Sequence, residues 1–376
     1  MSVGAADPAN VFAAKTVAFL LPDLGGGGAE RVTLTLAKTF VERGHRIDLL
    51  LMDRHGELLD MVPSGVEIVD LKSKRIRNVI RPLIRYLRER RPDALLVSMW
   101  PLTVAAILAR GLARSSTRLV VSDHSTLGRQ YGGSRLTLRL LQMTVRLFYP
   151  LADARVLVSQ GAANDLARLS GLRRESLEVV HNPVFAPPSQ SMSRPDINAL
   201  WRGADVRILT VANLLPVKNQ ALLIRSFARL RQRFPAKLML VGSGELKGDL
   251  KQLAASLGVA GDVIFAGFVA DPWPYYASAN LFVLSSDYEG FGNVLVEAMR
   301  CGLPVVSTDC ESGPREILDG GRFGKLVPVG DERALVKAME EELRSPHPPG
   351  VLRERAEQLS GAETADRYLG LLIGPR

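Results

Sequence analysis

Cysteine is scarce in this chain: two among 376 residues, Cys301 and Cys310. Two thiols cannot build a disulfide framework, and no Cys or His stands at short ligand spacing from either, which removes the usual zinc patterns. Long apolar runs are missing as well. The longest charge-free stretch, Ala94–Ala109, is sixteen residues broken by Pro101, whereas a bilayer span needs about 20. It reads as a buried strand followed by a helix. The segment Met1–Lys15 has no basic stretch leading into an apolar run, so a cleaved signal peptide is not expected and a cytoplasmic protein is. No Asp-x-Asp pair occurs anywhere in the chain.

What is present is an ordinary globular composition, 47% apolar and 23% charged, which excludes disorder, collagen and coiled-coil rods. The length suits two domains or one large α/β body. The net charge of +9 is unevenly placed: residues 1–180 carry 26 basic and 17 acidic side chains, and residues 181–376 carry 22 of each.

Strand-like and helix-like segments alternate. The run Thr16–Leu21 leads into Gly25-Gly26-Gly27-Gly28, a helical period over Ala29–Glu42, and a second run at Ile47–Met52. That is a βαβ unit of a parallel sheet. Further runs at Ala94–Ser98, Leu119–Ser122 and Arg155–Ser159 extend it. After His181-Asn182-Pro183 and the Pro/Ser-rich stretch Ala186–Pro195 the pattern restarts, with runs at Ile208–Ala212, Leu238–Val241, Val263–Ala266, Leu281–Leu284 and Pro304–Ser307. The expected architecture is α/β: two Rossmann-like doubly wound domains facing each other across a cleft. The first spans residues 1–182 and the second 183–355, followed by a terminal segment, 356–376. Ligands of such sheets bind beyond the C-terminal ends of the strands.

The most specific segment is Ser285–Met299. A strand ends, a loop bearing Gly290 and Gly292 follows, and an amphipathic helix begins near Asn293. A helix start offers free N–H groups and a positive dipole end to an anionic diphosphate. Glu289 and Glu297, eight residues apart, can meet different parts of one long ligand; on spacing alone a solvated helix face explains them equally well. Lys218 lies between a strand and a helix, where a cation opposes the dipole and so wants another purpose, such as a phosphate.

Glu289 to Glu297 resembles the Glu-x7-Glu motif of retaining glycosyltransferases of family 4, which have the GT-B fold. The similarity extends through Cys301–Thr308, Ser312–Glu316, Gly26–Arg31 and Val211–Phe227. It implies that Glu289 approaches the transferred sugar and Glu297 the ribose. Amides of Gly290, Phe291, Gly292 and Asn293 would hold sugar hydroxyls and diphosphate, with Val294 and Leu295 close by. Gly242 and Val269 would border the nucleobase, Gly26 and Gly27 the diphosphate and acceptor, and His124 the donor sugar. By the same resemblance Lys218 clamps the diphosphate together with an arginine, but Asn213 stands where that arginine is usual. Glu30 and Arg31 are expected only to stabilise their helix. Glu289, His124 and Lys218 are the expected catalytic residues.

The implied reaction is retaining, metal-independent and cofactor-free transfer of a hexose or N-acetylhexosamine, from a UDP-sugar by preference, to a lipid-linked or cell-envelope glycan. A GDP-mannose-dependent mannosyltransferase and a nucleotide-sugar epimerase of similar architecture are the alternatives. The acceptor side is read from charge. Nine cations lie between Lys72 and Arg91, interleaved with Ile76, Ile80, Ile84 and Leu87. A second stretch, Arg129–Pro150, alternates Arg135, Arg139 and Arg146 with Leu136, Leu138, Leu140, Leu141, Leu147 and Phe148. Such segments suit an anionic membrane surface, hence a peripheral enzyme on the inner face of the plasma membrane. No reading helix or aromatic platform accompanies the arginines, so nucleic acid is not expected.

Overall fold

The computed structural model describes residues 14–185 and 195–375. The proposed linker Ala186–Pro195 therefore lies, apart from its last residue, outside the described residues.

The first sheet comprises β1 (Thr16–Leu21), β2 (Arg46–Leu51), β3 (Val66–Asp70), β4 (Ala94–Ser98), β5 (Arg118–Asp123), β6 (Ala154–Leu157) and β7 (Glu178–Val179). All pairings are parallel, in the order β3-β2-β1-β4-β5-β6-β7. The second comprises β8 (Val206–Val211), β9 (Ala236–Val241), β10 (Val263–Gly267), β11 (Leu281–Leu284), β12 (Val305–Thr308) and β13 (Lys325–Val327), also parallel, in the order β10-β9-β8-β11-β12-β13. Both sheets are buried on both faces. Along β1, Ala18 and Leu20 enter one core while Val17, Phe19 and Leu21 enter another. That is why these strands read as unbroken apolar runs rather than alternating ones.

The helices that matter for the site are α1 (Gly28–Glu42), α2 (Ile76–Arg90), α3 (Arg135–Phe148), α4 (Gln220–Leu230) and α5 (Asn293–Arg300), followed by α6 (Pro349–Leu359) and α7 (Ala362–Ile373). Helix α6 belongs to the second domain, where Leu352, Ala356 and Leu359 are buried in its core. Helix α7 belongs to the first, where Ala365, Tyr368, Leu369 and Leu372 are buried beside Phe19 and Val120. The chain thus crosses back at Ser360–Gly361. Ser360 fastens the crossing, its hydroxyl donating to the carbonyl of Asn182 at 2.7 Å.

Candidate active site

A cavity of about 490 Å³ lies between the two sheets, facing the C-terminal ends of their strands. Its walls include Gly26, Gly27, His124, Asn213, Lys218, Gly242, Val269, Glu289, Gly290, Phe291, Gly292, Asn293, Val294 and Glu297. Residues distant in sequence are therefore brought to one place. The side chain of Leu295 does not line the cavity: it is fully buried in the second domain's core, because each helical residue rotates the side chain about 100° and the third position of α5 points inward.

Two helix starts meet in this cavity. Helix α1 begins at Gly28 and α5 at Asn293, and a Cβ on Gly28 would stand 3.7 Å from Asn293 Nδ2. Each start exposes unpaired N–H groups and a partial positive charge, so the cavity has an anion-seeking floor on both sides. Gly292 makes the turn into α5 at φ 97°, a conformation that strains any residue with a Cβ. At Gly290 the limit is space, since a Cβ would collide with the carbonyl of His124 in the opposite domain.

Lys218 and Glu289 form an ion pair at 2.6 Å, with Lys218 Nζ donating to Glu289 Oε1. The Ser286 hydroxyl donates to the same oxygen at 2.6 Å. Backbone bonds keep the two loops in register: Ser285 Oγ donates to the Lys218 carbonyl at 2.9 Å, and Asp287 N to the Val217 carbonyl at 2.8 Å. Asn219, at φ 45°, turns the chain from Lys218 into α4 and donates to Asp287 Oδ1 at 2.8 Å. The ammonium is thereby held at the mouth of α4 despite the unfavourable dipole. Glu297 lies one turn into α5, where Tyr276 Oη donates to its Oε2 at 2.6 Å and burial raises its pKa.

His124 follows β5. Its Nε2 lies 3.2 Å from Ser122 Oγ, and burial lowers its pKa to about 4. It is therefore a neutral imidazole at neutral pH, able to hydrogen bond but carrying no charge toward a reacting centre. Gly242 also has a structural use, since a Cβ there would collide with the Ala212 carbonyl. Asn213 lines the cavity, and its carbonyl accepts from Gln220 Nε2 at 3.0 Å.

The cavity also contains residues that sequence reasoning passed over: Trp100, Asp123, Tyr131, Asn182 and Tyr288. Asp123 ends β5, accepts from Tyr149 Oη at 3.0 Å, and has its pKa raised to about 7 by burial. Asn182 bridges the domains by donating to Asn293 Oδ1 at 2.8 Å. Its place in His181-Asn182-Pro183, just before the second domain, was the available signal. Arg31, expected only to stabilise α1, instead donates across the cleft to the carbonyls of Val269 and Ala270, each at 3.1 Å.

The chain is similar to known proteins in sequence and fold. The model described as Glycosyltransferase Family 4 matches residues 26–185, and that described as Glycosyl transferases group 1 matches residues 205–345. The N-acetylgalactosamine-N,N'-diacetylbacillosaminyl-diphospho-undecaprenol 4-alpha-N-acetylgalactosaminyltransferase of Campylobacter jejuni is 31% identical over 370 residues, covering 93% of this chain and 97% of its own. The lipopolysaccharide core biosynthesis glycosyltransferase LpsE of Rhizobium meliloti is 27% identical over 92% of this chain and 96% of its own. Among solved structures, HepE of Anabaena in complex with UDP and glucose superimposes with a TM-score of 0.78 at 22% identity, over 95% of this chain and 98% of that one. The two facing Rossmann-like domains are thus the GT-B fold, and the chain belongs to the family 4, group 1 glycosyltransferases.

Proposed function

We propose that this glycosyltransferase moves a hexose or N-acetylhexosamine, with retention and without a metal, from a nucleotide sugar to a lipid-linked or cell-envelope glycan. The observation that carries the reading is the convergence of two helix N-termini and one ammonium on a single interdomain cavity whose wall also includes the carboxylates of Glu289 and Glu297. Transfer breaks the bond from the anomeric carbon to the phosphate oxygen and forms one to an acceptor oxygen. The anomeric carbon gains positive charge while the diphosphate gains negative charge. The N–H groups of α5 and Lys218 address the diphosphate, and Glu289 the sugar. In a retaining course the acceptor attacks on the face the phosphate leaves, and its proton passes to the departing phosphate oxygen. Charge at the diphosphate is then met by the chain's own donors, which supports a metal-independent course. Glu297 suits a diol such as ribose, because a carboxylate accepts two hydroxyl hydrogen bonds.

UDP is the favoured nucleotide: the HepE complexes hold UDP, and the Campylobacter relative transfers an N-acetylhexosamine. Calorimetric titration with UDP and GDP, followed by hydrolysis assays across UDP-hexoses, UDP-N-acetylhexosamines and GDP-mannose, tests this. UDP is expected to bind at least tenfold tighter than GDP. Tighter GDP binding would shift the reading to a mannosyltransferase, and binding of neither would defeat it.

The acceptor reading extends to a membrane surface, in the cytoplasm against the inner face of the plasma membrane. Among the described residues no helix is long and apolar enough to cross a bilayer. The two basic segments differ. In α2 the apolar residues are spent inward, with Leu87 buried and Ile76, Ile80 and Ile84 packed against the core. In α3 they point both ways. Leu141 and Val145 are buried, whereas Leu136, Leu140, Met143 and Leu147 form an outward stripe at helical spacing, exposed by 79, 46, 60 and 62%. Full burial of one such side chain is worth roughly 1.5–3 kcal/mol and each nearby cation about 1 kcal/mol at an anionic surface. Insertion and charge thus contribute comparably. The chain is expected to co-sediment with phosphatidylglycerol vesicles and about tenfold less with phosphatidylcholine vesicles. The double variant Met143→Glu/Leu147→Glu should lose binding with its melting temperature unchanged. Salt-insensitive, equal binding to both vesicles would reject the electrostatic part.

A further inference from the structure

Both ends of the cleft are closed by contacts between the domains. At the Glu289 end, Thr126 Oγ1 donates to the Glu289 carbonyl at 3.1 Å, Ser159 Oγ donates to the Gly290 carbonyl at 2.7 Å, and Arg129 pairs with Glu311 at 2.7 Å. At the Glu297 end the bridge is a cation. The Arg31 guanidinium, carried on α1 of the first domain, donates to the carbonyls of Val269 and Ala270 at 3.1 Å each, and its carbon lies 5.8 Å from the centre of the Phe268 ring. Three consecutive residues of the loop after β10 thus form a receptor for one side chain of the other domain. Hydrogen bonds to a charged donor are about twice as strong as neutral ones. This is also the end where Val269 and Glu297 border the cavity.

We propose that Arg31 is a positioning residue that couples recognition of the nucleoside to closure of the two domains. The inference rests on the nucleotide-sugar reading above. By holding two successive carbonyls from outside its own domain, Arg31 fixes the loop that faces the base only when the domains are together. Each carbonyl oxygen has a second lone pair, so the Val269 carbonyl stays able to accept from a base N–H while Arg31 orients it. Because coupling is reciprocal, a nucleotide that prefers the fixed loop favours the closed arrangement to the same extent. A loose loop would admit bases with less discrimination.

The test uses the full chain with Arg31→Ala and Arg31→Lys, with Ser159→Ala as a control at the other end. Hydrogen exchange of the peptide covering residues 265–275, without nucleotide, is expected to quicken about tenfold in Arg31→Ala and to stay unchanged in Ser159→Ala. In titrations with UDP and GDP, Arg31→Ala should weaken the better nucleotide about tenfold and narrow the ratio between the two, and Arg31→Lys should recover part of both. A merely structural arginine would not move that ratio. Unchanged exchange, or faster exchange with wild-type affinity and ratio, overturns the proposal. Failure of the unsubstituted chain to bind either nucleotide defeats the donor reading and the proposal with it. The two failures are distinct, since only the latter shows before any substitution.

Discussion

Replacing Lys218 by alanine is expected to lower sugar transfer by about a hundredfold or more, and to weaken UDP binding as well. A preorganised donor at developing negative charge is worth roughly 10²–10³ in rate. Here the loss has little to compensate it. Among the described residues, the lysine and arginine side chains of the cavity wall are Lys218 and Arg31. Arg31 is engaged with the Val269 and Ala270 carbonyls, and Asn213 stands where the family resemblance makes an arginine usual. Lys218 is held at the mouth of α4 by bonds to the loop of Glu289, so its role does not depend on chance orientation of a long side chain. The fold should survive, because Glu289 Oε1 keeps the Ser286 donor; a charged hydrogen bond lost at a partly exposed pair costs roughly 1–3 kcal/mol. Turnover, UDP affinity and melting temperature measured together decide the matter. Wild-type turnover in Lys218→Ala would remove the lysine from the site.

The strands that escaped the sequence reading share one physical feature, although the edge strand β10 was legible because Val263–Ala266 is an unbroken apolar run. Central strands such as β1, β4 and β11 are covered on both faces and appear as continuous apolar runs. The three that were missed, β3, β7 and β13, all sit at a sheet edge. Val66–Asp70 is mostly half-buried and its apolar residues are interrupted by Glu67 and ended by Asp70; Glu178–Val179 has two residues and Lys325–Val327 three. An edge strand has less to bury, so it leaves less of a hydrophobic signal. The active-site motif was legible because loop and helix are contiguous: Glu289 to Glu297 specifies its own turn and helix start. Contiguity does not tell which way each side chain faces, and that of Leu295 turns into the core. Arg31 escaped because its partners lie 238 and 239 residues away, and no local pattern announces such a contact. On α3, spacing showed a basic amphipathic segment; only packing shows that Leu138, Leu141 and Phe148 face the core while Leu136, Leu140 and Leu147 do not.

Glutamine at position 289 should separate the two charges of the reaction. The amide keeps the size of the carboxylate and can still accept from Lys218 Nζ and Ser286 Oγ, so loop geometry and the Gly290–His124 contact persist. What disappears is the negative charge beside the transferred sugar. A full charge held in a buried site acts strongly on a centre that becomes cationic, because water is not there to screen it. Transfer is therefore expected to fall about a hundredfold while UDP affinity stays within about threefold of wild type, since UDP lacks the sugar that Glu289 addresses. Lys218→Ala should lose both. This contrast assigns the lysine to the leaving group and the glutamate to the anomeric centre. If Glu289→Gln instead weakened UDP as much as the lysine variant does, the carboxylate would be serving only to position Lys218. If it transferred sugar at the wild-type rate, the charge would have no part in the reaction.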